Sequence, residues 1–134
     1  MRTGNFDGTA IMSINSLLLI LVSVSLSVAA QILLKLGMSN SVIKDAFDVS
    51  TINGVISILL NLHILGGLFA YVASAAVWLG VLSQVDVSKA YPFVGLGFIG
   101  TMLLGFIILN EPLNFNKLAG TLFVVLGVVL LSKS

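Results

Sequence analysis

The sequence predicts an all-α membrane protein with four transmembrane helices and a short interfacial amphipathic helix between the first two. Three observations predict it. Of the 134 residues, 58% are hydrophobic and only 8% are charged, against roughly 25% charged in a soluble domain. The mean hydropathy of +1.18 agrees. Residues Val49 to Val85 contain no Asp, Glu, Lys or Arg. Finally, apolar runs near the length a bilayer requires, about 20 residues, recur with polar residues at their borders. A membrane β-barrel would alternate polar and apolar residues, and these runs do not.

The first span is predicted over residues 16–36, inside one transmembrane domain covering 16–134. Residues 1–15 are expected to form a disordered tail. Arg2, the apolar run Leu17 to Val22, and Val28-Ala29-Ala30 before Gln31 have the form of a cleavable signal peptide. Three later spans make such a signal unnecessary for membrane entry, so the first span is read as retained. Met12 is an alternative start. The interfacial helix is predicted over 42–60. There Val42, Ala46, Val49, Ile52, Ile56 and Leu59 recur every three or four positions, with Lys44, Asp45, Asp48, Thr51 and Asn53 between them. At 1.5 Å per residue the charge-free stretch is too long for one upright helix. It divides near Asn61, and the second span follows over 62–84. The third span, 90–109, opens on Tyr91-Pro92, where proline in a first turn sacrifices no hydrogen bond, and stops at Asn110-Glu111-Pro112. The fourth covers 117–132, with Lys133 after it.

The cations set no orientation. Arg2, Lys89 and Lys133 fall on one side, and Lys35, Lys44 and Lys117 on the other. Either a partner or a few decisive charges set the orientation, or both orientations insert.

Several chemistries are excluded. There is no cysteine, hence no disulfide, thiolate metal site or cysteine nucleophile. The lone His63 cannot build a histidine-rich zinc site and reads as interfacial. A net charge of +1 lacks the basic footprint of a nucleic-acid binder. No acid pair, nucleophile triad or phosphate-cradling loop is visible, and Glu111 reads as a loop residue. The sequence therefore predicts no enzyme, no cofactor and no metal.

The most informative pattern is in the first span. Ser23, Ser27, Gln31 and Lys35 are spaced by four and form one polar stripe on a helix. Serines bond back to their own helix without further meaning. An amide in hydrocarbon, by contrast, seeks a partner on another helix or in a wet cavity. Lys35, near the membrane edge, either snorkels or receives an anionic headgroup. Tyr91 and Lys89, at the mouth of the third span, join the candidate substrate-binding set. Gly95, Gly97, Gly100, Thr101 and Gly105 make the third span rich in small residues, suited to close packing or to bending. Gly120 and Gly127 share one face of the fourth, a packing seam within the protomer or toward a partner. Tyr71 and Trp78 read as interface anchors.

These residues carry a resemblance. Ser27-Val28-Ala29-Ala30-Gln31 with Lys35, then Ala90-Tyr91-Pro92-Phe93, Asn110-Glu111-Pro112-Leu113, and Gly120 through Gly127-Val128 resemble the drug/metabolite transporter superfamily in its four-helix, small-multidrug-resistance and EamA-like form. The likeness covers residues 16–132 and is nearest to the subunits of the aminoarabinose-phosphoundecaprenol flippase. It implies a protein of the inner (plasma) membrane that works as a homodimer, or a heterodimer with a similar small subunit. The first three helices would form the cavity and the fourth would contribute dimer contact. Proton-coupled drug exporters of the group carry a membrane-embedded glutamate where this chain has Ser27, and serine cannot ionise. The segment from Asn40 to Leu60 is also longer than the matching connection in the compact exporters. The expectation is thus a flippase or translocation subunit for an anionic lipid-linked sugar. A cation exporter with altered proton coupling and a non-transporting or half-transporter subunit remain as alternatives.

Overall fold

The computed structural model describes residues 13–133. Positions 1–12 of the predicted tail lie outside the described residues. Within them the chain forms α1 (Ile14–Met38), α2 (Ser41–Val49), α3 (Thr51–Leu60), α4 (Leu62–Leu82), α5 (Val87–Ala90), a 3-10 turn (Tyr91–Gly95), α6 (Leu96–Ile108) and α7 (Phe115–Ser132). No described residue lies in a strand.

Short polar side chains decide where these helices start. Ser13, Asn40, Ser50, Asn61 and Asn114 each accept a hydrogen bond from a backbone N–H of the first turn that follows, in α1, α2, α3, α4 and α7 respectively. Such a cap satisfies a donor that has no partner inside the helix. The cap at Ser50 changes the predicted interfacial element. Its apolar periodicity runs on from 42 to 59, but Ser50 is extended and its hydroxyl takes the N–H of Asn53 at 3.1 Å. One predicted helix is therefore two, α2 and α3, folded together with the ring of Phe47 lying directly over Gly54.

Among the described residues, three helices are long and apolar enough to cross a membrane: Ile14–Met38, Leu62–Leu82, and Val87–Ile108 counted through the 3-10 turn. The third begins earlier than the predicted residue 90, because the carbonyl of Asp86 already accepts the N–H groups of Lys89 and Ala90. The last helix is apolar but shorter, Phe115–Leu131. At the α6 end, Asn110 adopts a left-handed backbone (φ 57°) and lets the N–H of Glu111 reach the carbonyl of Gly105 at 3.0 Å. Asparagine tolerates that conformation better than most residues.

The helices are apolar on their outer faces. Leu62 is 81% exposed, Phe69 76% and Phe123 72%, an arrangement that suits lipid rather than water as solvent. Inside, α1 and α4 pair antiparallel. Ser16 Oγ donates to Gln84 Oε1 at 2.7 Å at one end, and Gly37 lies against Ile64 and Asn61 at the other. Between them Ser23 Oγ donates to the carbonyl of Ser74 at 2.9 Å, and Ser74 Oγ returns the bond to the carbonyl of Ser23 at 2.8 Å. The third span then leans on α1, with Gly97 against Val24 and Val28 and Gly100 against Val28. Gly95 meets Val124 and Val128 of α7. A small core of Ile20, Val81 and Ala90 closes the end near Ser16, with Trp78 and Phe93 against it.

A β-carbon at Gly67 would stand 2.9 Å from the Leu34 side chain and 3.1 Å from the carbonyl oxygen of Ala30. Gly67→Leu should therefore lower the thermal midpoint in detergent, with a loss of about 1–3 kcal/mol typical of an overpacked contact. Gly120→Leu, where nothing lies within 4 Å, should leave the protomer's own unfolding unchanged.

Candidate functional site

The polar stripe of α1 is divided by its neighbours. Ser23 is buried in the clasp with Ser74, inside the α1–α4 contact. Ser27 is half-buried and donates to the carbonyl of Val24 at 2.9 Å. Gln31 is exposed, and its Nε2 donates to the hydroxyl of Tyr71 on α4 at 3.3 Å. Lys35 is exposed one turn further on.

Helical geometry says where this stripe lies. Ser23 and Ala30 face α4, while Val24 and Val28 face α6. At 3.6 residues per turn, Ser27 and Gln31 fall between those two directions. They floor the furrow between α4 and the third span. Tyr71 and Trp78, seven positions apart, share a side of α4. Trp78 meets Tyr91 edge to face, with ring centroids 6.3 Å apart and planes at 72°, a favoured aromatic geometry. The furrow is thus uncharged, with a serine and an amide on its floor and three aromatic side chains along its walls.

The two candidate lysines stand at opposite ends. Lys89 lies in α5, five residues after Gln84 at the end of α4 that ties to Ser16, whereas Lys35 is two residues before Gly37 at the other end of α1. Along α1, Ser16 and Lys35 are about 28 Å apart at 1.5 Å per residue. One headgroup cannot touch both lysines at once. Of the four glycines, Gly95 and Gly97 lie in helix contacts, with Val128 Cγ2 at 2.8 Å and Val24 Cγ1 at 3.4 Å from a built β-carbon. Gly120 and Gly127 have nothing within 4 Å and leave a smooth strip on the outside of α7. Among the described residues no three His, Cys, Asp or Glu side chains gather as a metal site.

A model of the EamA-like transporter family matches residues 9–133. The chain belongs to this family. A Proteus mirabilis protein named as a probable 4-amino-4-deoxy-L-arabinose-phosphoundecaprenol flippase subunit, ArnF, is 32% identical over 117 residues, covering 83% of this chain and 86% of its own. The protein of that name from Photorhabdus laumondii is 31% identical over 119 residues, covering 84% and 93%. A Pseudomonas aeruginosa protein named as the ArnE subunit is 42% identical over 57 residues, 42% of this chain and 50% of its own. No solved structure gives a significant match. Family membership and the apolar helices make the chain a multi-pass protein of the inner membrane, as the resemblance implied.

Sequence reasoning missed Ser74, Gln84 and the partnership of Tyr71 and Trp78 with the site. The seven-residue spacing of Tyr71 and Trp78 was the available signal. Trp78 is the only tryptophan, so its fluorescence reports on this furrow alone. Tyr91→Ala should shift Trp78 emission to longer wavelength by admitting water beside the indole. Unchanged emission would mean that the Tyr91 edge does not shield Trp78.

Proposed function

We propose that this EamA-family chain is a flippase or translocation subunit for an anionic lipid-linked sugar of the polyprenyl-phosphate type. In this reading it is not an enzyme and uses no cofactor. The observation that carries the proposal is the furrow: neutral hydrogen-bonding groups on α1, aromatic walls, no carboxylate, and a lysine beyond each end. The names of the ArnF and ArnE relatives support the same class of cargo.

The chemistry follows from the solvent. A sugar phosphate cannot cross hydrocarbon unaided, because buried polar groups demand partners. Ser27 and Gln31 offer hydrogen bonds to hydroxyls, and the faces of Trp78 and Tyr91 suit a sugar ring. The polyprenyl tail stays in lipid beside the open furrow. Lys35 receives the phosphate on one side as a compact point charge, and Lys89 meets it on the other. The two lysines act in succession. Ser27 holds no proton to exchange, so the cycle differs from proton-coupled drug export.

The membrane arrangement belongs to this proposal. At 1.5 Å per residue, the 18 residues of α7 reach about 27 Å, close to the roughly 30 Å hydrocarbon core. It serves as the fourth span, while α2 and α3 lie along the interface. The whole of residues 16–134 then forms a single domain. The open strip at Gly120 and Gly127 supports a partner helix packed there, from a second copy or a similar small subunit.

In reconstituted vesicles, Lys35→Ala should cut headgroup translocation at least about tenfold, the worth of one charge-assisted contact, while the protein remains folded. Normal transport by that variant would sink the proposal, and uptake of a cationic dye driven by a pH gradient would favour the exporter instead. Gly120→Leu with Gly127→Leu should shift the chain toward monomer in detergent, as read by crosslinking. An unchanged dimer fraction would remove α7 from the interface.

A further inference from the structure

A second polar feature lies apart from the furrow. Where α1 gives way to α2 and α3 meets α4, an open groove of about 510 Å³ lies between the two short helices. Asn40, Asn53, Ser57 and Asn61 line it together with apolar residues such as Ile43 and Leu60. It is distinct from the furrow, because Asn61 packs on Gly37. Gly37 and Lys35, two positions apart, point to opposite sides of α1.

The capping roles fix what the groove presents. Asn40 Oδ1 accepts from the N–H of Val42 at 2.7 Å, and Asn61 Oδ1 accepts from the N–H of Ile64 at 3.1 Å. Each carboxamide is held by its oxygen, so its Nδ2 group is left to donate elsewhere. Neither Nδ2 group, nor the side chain of Asn53, nor the Ser57 hydroxyl has a hydrogen-bond partner among the described residues, and Asn40 and Asn53 are exposed, so all four groups are open to a molecule that approaches from outside. No Lys, Arg, Asp or Glu lines the space. The result is a groove of neutral polar groups, amide donors from Asn40 and Asn61 and both donors and acceptors from Asn53 and Ser57, with an apolar wall, at the end of the membrane-length helices α1 and α4.

Donors without a cation suit an acceptor-rich group that is anchored by something other than charge. Ester carbonyl, glycerol and phosphodiester oxygens of a bilayer lipid are acceptors of this kind. The exposed side chains of Ile52 and Leu59 on α3 give its acyl chains a surface beside the pocket. A free phosphate ion finds neither a positive partner nor an apolar anchor there. We propose that the α2–α3 groove is a binding site for the head region of a bilayer glycerophospholipid, separate from the transported cargo. From the proposed function this takes only the position of α2 and α3 at the membrane edge.

The test uses the purified full chain in mild detergent, titrated with dioleoyl phosphatidylglycerol or with glycerol 3-phosphate and read by native mass spectrometry. The unaltered chain should retain the phospholipid and not glycerol 3-phosphate. Asn53→Leu with Ser57→Leu should reduce retention about tenfold, the combined worth of two ordinary hydrogen bonds. It leaves both capping asparagines in place. Ala46→Phe, which fills the groove without removing a donor, should have the same effect, and it decides the matter if the double variant does not fold. Equal retention by folded variants overturns the site, and equal binding of glycerol 3-phosphate overturns the lipid as its occupant. Lys35→Ala should keep the phospholipid here while losing headgroup transport, so the two proposals fail separately.

Discussion

The pairing of α1 with α4 is the contact on which the other helices depend. In lipid, burial of apolar surface gives helices no preference for one another, so association needs close packing and polar contacts. Here both are present along one seam. Gly37 and Gly67 let the backbones approach, and the Ser23–Ser74 clasp joins each hydroxyl to the opposite main chain. Each such bond is worth modestly under about 1 kcal/mol on average in membrane proteins. Two reciprocal bonds at one crossing point fix rotation and register as well as strength. The third span then packs on the face of α1 that α4 leaves open, and α7 packs on the third span through Gly95.

That order explains why one face of α1 does two jobs. Ser23 and Ser27 differ by one turn, yet the first is sealed inside the α1–α4 seam and the second lies at its edge. The furrow is the gap between two packing contacts on a single helix. Its floor is held by the same seam that builds the bundle, so a substitution at Ser74 would alter the site without touching it.

Much of this was legible in the sequence. The apolar runs and their polar borders located the three membrane-length helices to within a few residues, because a bilayer imposes a length that composition cannot disguise. The division at Asn61 was readable too, since the run before it is amphipathic. What periodicity hid was Ser50: the apolar spacing continues across it, and only the local competition of a serine hydroxyl for a backbone N–H breaks the helix. The stripe from Ser23 to Lys35 was visible as a pattern. Its division could not be read, because spacing by four describes one helix and says nothing of where two neighbours land on it. Ser74 and Gln84 were silent for the same reason: each is an ordinary polar residue until the antiparallel register sets it opposite Ser16 or Ser23.

Among the described residues, the side-chain hydrogen bonds that tie the long helices together, Ser16 to Gln84, Ser23 to Ser74, Gln31 to Tyr71 and Thr121 to Met102, join neutral groups only. A membrane potential does electrical work on charge, about 2.3 kcal/mol per elementary charge for each 100 mV crossed. These ties carry none. The field across the bilayer therefore has no purchase on the helix contacts, and it acts on whatever charge the passing molecule brings with it. In the proposed cycle, voltage then acts on the cargo's charge together with Lys35 and Lys89 at the ends of the furrow, not on the ties between helices.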